Sequence, residues 1–183
     1  MKNQYVGDIN DYRKYGLLRI LQKEIRGPLL VAWMLTKNDD SSDGAFRSYL
    51  QDPERWRSND PELYDELRKL RSSAQPAVSH IEASGVLPGA RFFSDMVPDS
   101  REGRHRWTRQ LLERARGTQL VFVDPDNGFE IPSKPIGRKD SSKYVTKEEI
   151  RSLSTALHRD QRPRDRHHVA FQRAESRVLD PRR

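Results

Sequence analysis

The sequence predicts an α/β domain built on a mostly parallel sheet, and three observations carry this. Residues 29–35 (LLVAWML) are a continuous apolar run between Gly27-Pro28 and a polar loop. Residues 120–123 (LVFV) are a second such run, ending abruptly at Asp124. Around them lie segments whose apolar residues recur at helical spacing. Strands buried on both faces read as unbroken apolar runs, and their alternation with amphipathic helices marks a parallel sheet covered on both sides. The expected architecture is a Rossmann-like three-layer domain over residues 1–157.

The elements follow in order. Asp8 or Asn10 caps a first helix in which Tyr12, Tyr15, Leu18 and residues 21–25 keep helical spacing, and Gly27-Pro28 ends it. The first strand is residues 29–35. Residues 45–50 read as a short helix. Asp52-Pro53 and Asp60-Pro61 each pair a cap with Pro at the first helical position. In the helix starting at Pro61, residues 63, 64, 67 and 70 share an apolar face. Residues 76–84 form another helix, stopped by Gly85. A strand follows at 90–95. An amphipathic helix covers 104–116, with Trp107, Leu111, Leu112 and Ala115 on one side. Its arginines read as a solvated face. The third strand is 120–124, and a Pro- and Lys-containing loop follows from Gly128. Thr146 and Glu149 form a capping box for the last helix.

Composition narrows the function classes. The absence of cysteine excludes disulfides, thiolate metal sites and a cysteine nucleophile. No apolar run approaches the roughly 18 residues that span a bilayer, and the N-terminus has no signal-peptide core. The sequence therefore predicts a soluble, cytoplasmic protein with no membrane partner. No Gly-x-Ser-x-Gly and no phosphate loop is present. The net charge of +7 raises the expectation of a polyanionic partner, nucleic acid above all.

That charge is uneven. Residues 158–183 hold 8 Arg, no Lys and 4 acids, and hydrophobic periodicity fails after Leu157. The segment reads as a basic tail that folding does not need: either a disordered arm, or a stretch from a shifted reading frame. Only Val169-Ala170-Phe171 could start a strand there.

The sharpest motif is Asp124-Pro125-Asp126-Asn127-Gly128-Phe129-Glu130. Ligands of open α/β sheets bind outside the carboxyl ends of the strands, which is where this turn and residues 36–44 are expected. Three chemistries suit it. In amine methylation with S-adenosylmethionine, an Asp/Asn-Pro-Pro-aromatic turn accepts hydrogen bonds from the target amine while an aromatic stacks on the base. Asp124, Asp126 and Asn127 are then the catalytic candidates. Pro125, Phe129, Lys143, Tyr144, Asp11 and Lys14 are the substrate-binding candidates. In metal-dependent phosphodiester cleavage, Asp124, Asp126 and Glu130 would hold Mg²⁺, and Lys139 or Lys143 would face a developing oxyanion. Phosphoryl transfer through Asp-x-Asp ranks last, because that motif usually follows a first strand. A non-catalytic nucleic-acid-binding role is the remaining alternative.

Two resemblances attach to these motifs. Residues 7–19 (GDINDYRKYGLLR), Trp33-Met34-Leu35-Thr36, Asp124-Pro125-Asp126-Asn127-Gly128 and Ser141-Ser142-Lys143-Tyr144-Val145 resemble a family of uncharacterised bacterial proteins over about residues 1–155. In that family an apolar strand follows the last helix. More distantly, residues 7–15 and the turn at Asp124 resemble large-subunit ribosomal RNA adenine-N6 methyltransferases, which have a Gly-Asn-x-Ala-Asp-x-x-Lys-His helix and an Asp-Pro-Pro-aromatic motif. The resemblance implies S-adenosylmethionine as cofactor and an RNA substrate. Their Gly-rich cofactor loop is replaced here by Leu35-Thr36-Lys37-Asn38-Asp39-Asp40.

Overall fold

The computed structural model describes residues 1–25, 27–40, 44, 46–70 and 76–159, together with the backbone of 168–171. It is an α/β domain with two small parallel sheets flanked by helices. Helix α1 (Ile9–Glu24) begins at Asp8, whose side chain accepts from Asn10 N. Strand β1 (Leu29–Ala32) follows. Short α2 (Pro53–Trp56), α3 (Pro61–Leu70) and α4 (Val78–Ser84) lead to β2 (Arg91–Phe93). Then come α5 (Arg101–Arg114), β3 (Leu120–Val123), β4 (Gly128–Phe129), β5 (Tyr144–Val145), α6 (Lys147–Arg159) and β6 (His168–Phe171).

The main sheet runs β2-β1-β3-β6, every pair parallel. The chain therefore leaves β1 toward β2 and returns on its other side as β3. Strand alternation sends Leu29, Val31, Leu120 and Phe122 to one face and Leu30, Ala32, Val121 and Val123 to the other. The first set packs with Tyr12, Tyr15 and Leu18 of α1, Leu63, Tyr64 and Leu67 of α3, and Val78 and Ile81 of α4. The second packs with Trp107 and Leu111 of α5 and Leu153 and Leu157 of α6. Each buried Val, Leu, Ile or Phe among them contributes roughly 1.5–3 kcal/mol.

Three expectations change in detail. β1 ends at Ala32, not at residue 35, because Met34 turns the chain with a left-handed φ of 46°. Residues beyond it still touch β2's continuation through the Leu35–Met96 bridge. Arg104 of α5 is not on a solvated face but 1% exposed. Finally, the folded region does not stop at Leu157: α6 continues to Arg159, and the backbone of His168–Phe171 pairs with β3 from Leu120 to Val123. The Val-Ala-Phe triplet is the stretch of that segment with strand propensity. The disordered-arm and shifted-frame readings otherwise concern residues 160–167 and 172–183, outside the described residues. Among the described residues, no helix is long and apolar enough to cross a membrane.

Candidate functional site

The sheet order places a topological switch point between β1 and β3, and the carboxyl ends of both strands meet there. Asp124 N continues the ladder by donating to Ala32 O at 3.0 Å. Its side chain then leaves the sheet toward α1, where Lys14 Nζ sits 2.8 Å from Asp124 Oδ2. Lys14 also lies 2.8 Å from Asp11 Oδ1, one turn back on the same helix. Asp11 Oδ2 accepts from Gly7 N at 3.1 Å.

A second cluster adjoins the first. Asp126 Oδ2 accepts from Thr36 Oγ1 at 2.6 Å, and Asp126 Oδ1 pairs with the Met1 ammonium. That ammonium also donates to the carbonyls of Met34 and Asp124. The left-handed turn at Met34 thus aims its carbonyl into the site. Asp11, Asp124, Asp126, Lys14 and Thr36 are all buried, between 1 and 8% exposed.

The electrostatics are unbalanced. Three carboxylates face two ammonium groups. Burial pushes the Asp11 carboxyl up from its ordinary value, against the pull of Lys14. Burial also opposes the charge on Lys14, but Asp11 and Asp124 more than offset it, and its pKa ends above the ordinary lysine value. The Tyr15 hydroxyl is fully buried beside Asp11, with no hydrogen bond of good geometry among the described residues. Burial, and then Asp11 and Asp124, hold its pKa well above the ordinary value.

The rest of the turn faces outward. Pairing of β4 with β5 sets Gly128 opposite Tyr144 and Phe129 opposite Val145. Asn127 N donates to Lys143 O at 2.8 Å, and Asn127 Nδ2 to Tyr144 Oη at 3.1 Å. Asn127 and Phe129 are exposed, Lys143 and Tyr144 half-buried, and Pro125 buried. The predicted residues therefore divide into a buried charged set (Asp11, Lys14, Asp124, Asp126) and a surface set (Asn127, Phe129, Lys143, Tyr144).

The expected metal triad is not brought together. Glu130 follows β4 away from the strand end, and its Oε1 accepts from Lys147 N at the start of α6. Among the described residues, no group of three or more His, Asp or Glu is placed to hold a metal ion.

Sequence reasoning missed several members. Thr36 carried a usable signal, since it follows the first buried strand. Met1 and Tyr15 carried none. Behind the turn, Arg104 Nε and Nη2 hold Glu149 at 2.6 and 2.8 Å, and Nη2 also donates to Tyr144 O at 2.8 Å. Burial opposes the charge on Glu149, but Arg104 outweighs it and leaves the carboxyl below its ordinary value. The capping box expected at Thr146 and Glu149 is present in both directions.

Surface grooves of about 700 and 770 Å³ lie elsewhere, one between α5 and α6 and one beside Pro28 at the amino end of β1. The site therefore rests on the strand-end geometry and not on cavity size. No protein-family model, curated protein or solved structure matches this chain.

Proposed function

We propose that this chain is a methyltransferase-like protein of Rossmann-like three-layer architecture, which binds S-adenosylmethionine at the carboxyl edge of β1 and β3 and acts on nucleic acid. The observation that carries the reading is the position of the acid-Pro turn. Asp124 ends the strand next to central β1, on the side opposite β2, and is met there by Lys14 and Asp11 of the helix that precedes β1. Both motifs of the distant methyltransferase resemblance thereby converge on one switch point.

The residues present fit a cationic cofactor. The buried cluster carries one carboxylate more than its ammonium groups balance. Uncompensated buried charge is costly, so a positively charged ligand is favoured there over a neutral one. Asp126 and Thr36 are the residues that would hold it, with the Tyr15 hydroxyl as a further polar group. The cofactor supplies an electrophilic methyl group.

The chain's own residues handle the acceptor. Asn127 spends its amide hydrogen on Tyr144, and its Oδ1 accepts no hydrogen bond among the described residues. That oxygen and the Pro125 carbonyl are the acceptors for an exocyclic amine. Phe129, 40% exposed, and the Tyr144 ring flank them as surfaces for a base. Lys14 pairs with Asp124 and fixes its position, so it orients the turn and does not contact the base.

The test is calorimetry with S-adenosylmethionine, followed by transfer of labelled methyl groups to RNA and DNA oligonucleotides. Binding and transfer by the natural chain, with transfer lost in N127A, support the reading. No heat at millimolar cofactor sinks it.

A further inference from the structure

We infer that the loop between β4 and β5 is a preformed grip for the phosphate backbone of the nucleic acid; this rests on the function proposed above and assigns it a binding surface. Residues 134–143 carry Lys134, Arg138, Lys139 and Lys143 against one acid, Asp140. Some surface cations elsewhere sit on carboxylates, as Arg57 does on Asp65, Lys69 on Glu66, Arg106 on Glu102 and Arg19 on Asp60 and Glu62. Lys23 and Arg68 are exposed without one among the described residues, so what sets the loop apart is four cations within ten residues on a fixed backbone. Arg138 and Lys139 are exposed, and no carboxylate among the described residues pairs with them. Lys134 and Lys143 share Asp140 at 3.4 and 3.5 Å.

The loop is tightly held although its cations face solvent. Asp99, just before α5, accepts from Ser142 N at 2.7 Å, Asp140 N at 3.0 Å and Ser141 Oγ at 3.3 Å. Gly137 N donates to Asp99 O at 2.9 Å. These bonds outweigh burial and keep the Asp99 carboxyl below its ordinary value. Asp140 is held at φ 67°, a conformation that costs a non-glycine residue and persists only where its surroundings enforce it. Gly137, at φ 99°, leaves room for the Arg101 side chain; a Cβ there would come within 3.1 Å of it. The loop ends where Lys143 O receives Asn127 N, so the fixed cations continue directly into the exposed Asn127–Tyr144 pair. Phosphates at Arg138 and Lys139 would leave a base free to reach Tyr144 and Phe129. Such ordering removes the entropy that a flexible basic loop would lose on binding.

The experiment is fluorescence anisotropy with labelled single-stranded RNA and DNA oligonucleotides, without cofactor, across a salt series. Each lost phosphate contact lowers the salt slope by about 0.7 for single strands. R138A/K139A should therefore flatten the slope by about 1.4 and weaken low-salt binding about tenfold. K23A/R68A, which removes equal charge from exposed positions on α1 and α3, should stay within about twofold of the natural chain. D99A removes a negative charge, so generic attraction would tighten binding; loss of the ordered loop should weaken it at least about threefold. Equal losses in the two double variants overturn the surface, and unchanged or tighter binding by D99A overturns its preorganisation. Loop-dependent binding to anionic phosphatidylserine vesicles but not to oligonucleotides overturns the choice of partner. Loop-dependent oligonucleotide binding without methyl transfer leaves this inference standing and removes the proposed activity. Methyl transfer with loop-independent binding does the reverse.

Discussion

Lys14 Nζ and Asp124 Oδ2 lie 2.8 Å apart, buried, although 110 residues separate them in the chain. The pair fastens α1 to the end of β3. Removing the cation leaves Asp124 and Asp11 buried without it, and breaking such a pair costs about 3–5 kcal/mol. K14M should lose that much in urea unfolding, and adding D124N should recover part of it. A loss under about 1 kcal/mol would show that the carboxylates rehydrate freely.

Gly16 lies within α1, and among the described residues a Cβ there would meet only Leu63 Cδ2, at 3.8 Å, an ordinary contact. Interior helical glycine costs about 1 kcal/mol relative to alanine. G16A should raise stability by about 0.5–1 kcal/mol, read from the urea midpoint. Destabilisation would mean that α1 and α3 approach more closely than the backbone indicates.

Glu149 gives stability a defined acid dependence. Its folded pKa lies below the ordinary 4.5, because Arg104 outweighs burial. A depressed carboxylate stabilises fully above the unfolded value, and the effect fades as pH falls through the folded one. E149Q should therefore melt lower than the natural chain at pH 7, and the gap should narrow below about pH 4. A gap that stays constant down to pH 3 would assign the effect to packing.

β6 makes the last prediction contrary to the sequence expectation of a dispensable tail. A chain ending at Leu157 would lose the strand paired to Leu120–Val123 and expose the edge of β3. Unpaired apolar edges aggregate. The shortened chain should melt about 5 °C or more below the full one, or precipitate. An unchanged midpoint would restore the expectation of a tail that adds nothing.

The strands at β1, β2 and β3 and the caps at Asp8, Asp52 and Thr146 were legible because they rest on local pattern and local hydrogen bonding. Asp124 was legible as the stop of an apolar run. Burial of Arg104 was not: an arginine in a basic, amphipathic helix carries no local sign of a glutamate 45 residues away. Asp99 was equally silent, since the loop groups it binds, at Asp140, Ser141 and Ser142, lie 41 to 43 residues away in the chain. Glu130 was misassigned because proximity in sequence does not survive the turn into β4. β6 was undervalued because charged neighbours hide a short apolar triplet that only β3 makes useful.

The all-parallel order of the main sheet also bears on how the chain is made. β1 lies at the centre, yet its neighbours β2 and β3 are encoded about 60 and 90 residues later. At roughly 5–20 residues per second, a ribosome would leave Leu29–Ala32 without a strand partner for several seconds. During that interval α1 is the element already synthesised that can cover one side of it. The heart of the finished domain is thus its most exposed adhesive segment during synthesis, and slowing or pausing elongation between residues 33 and 120 should lower the yield of folded protein.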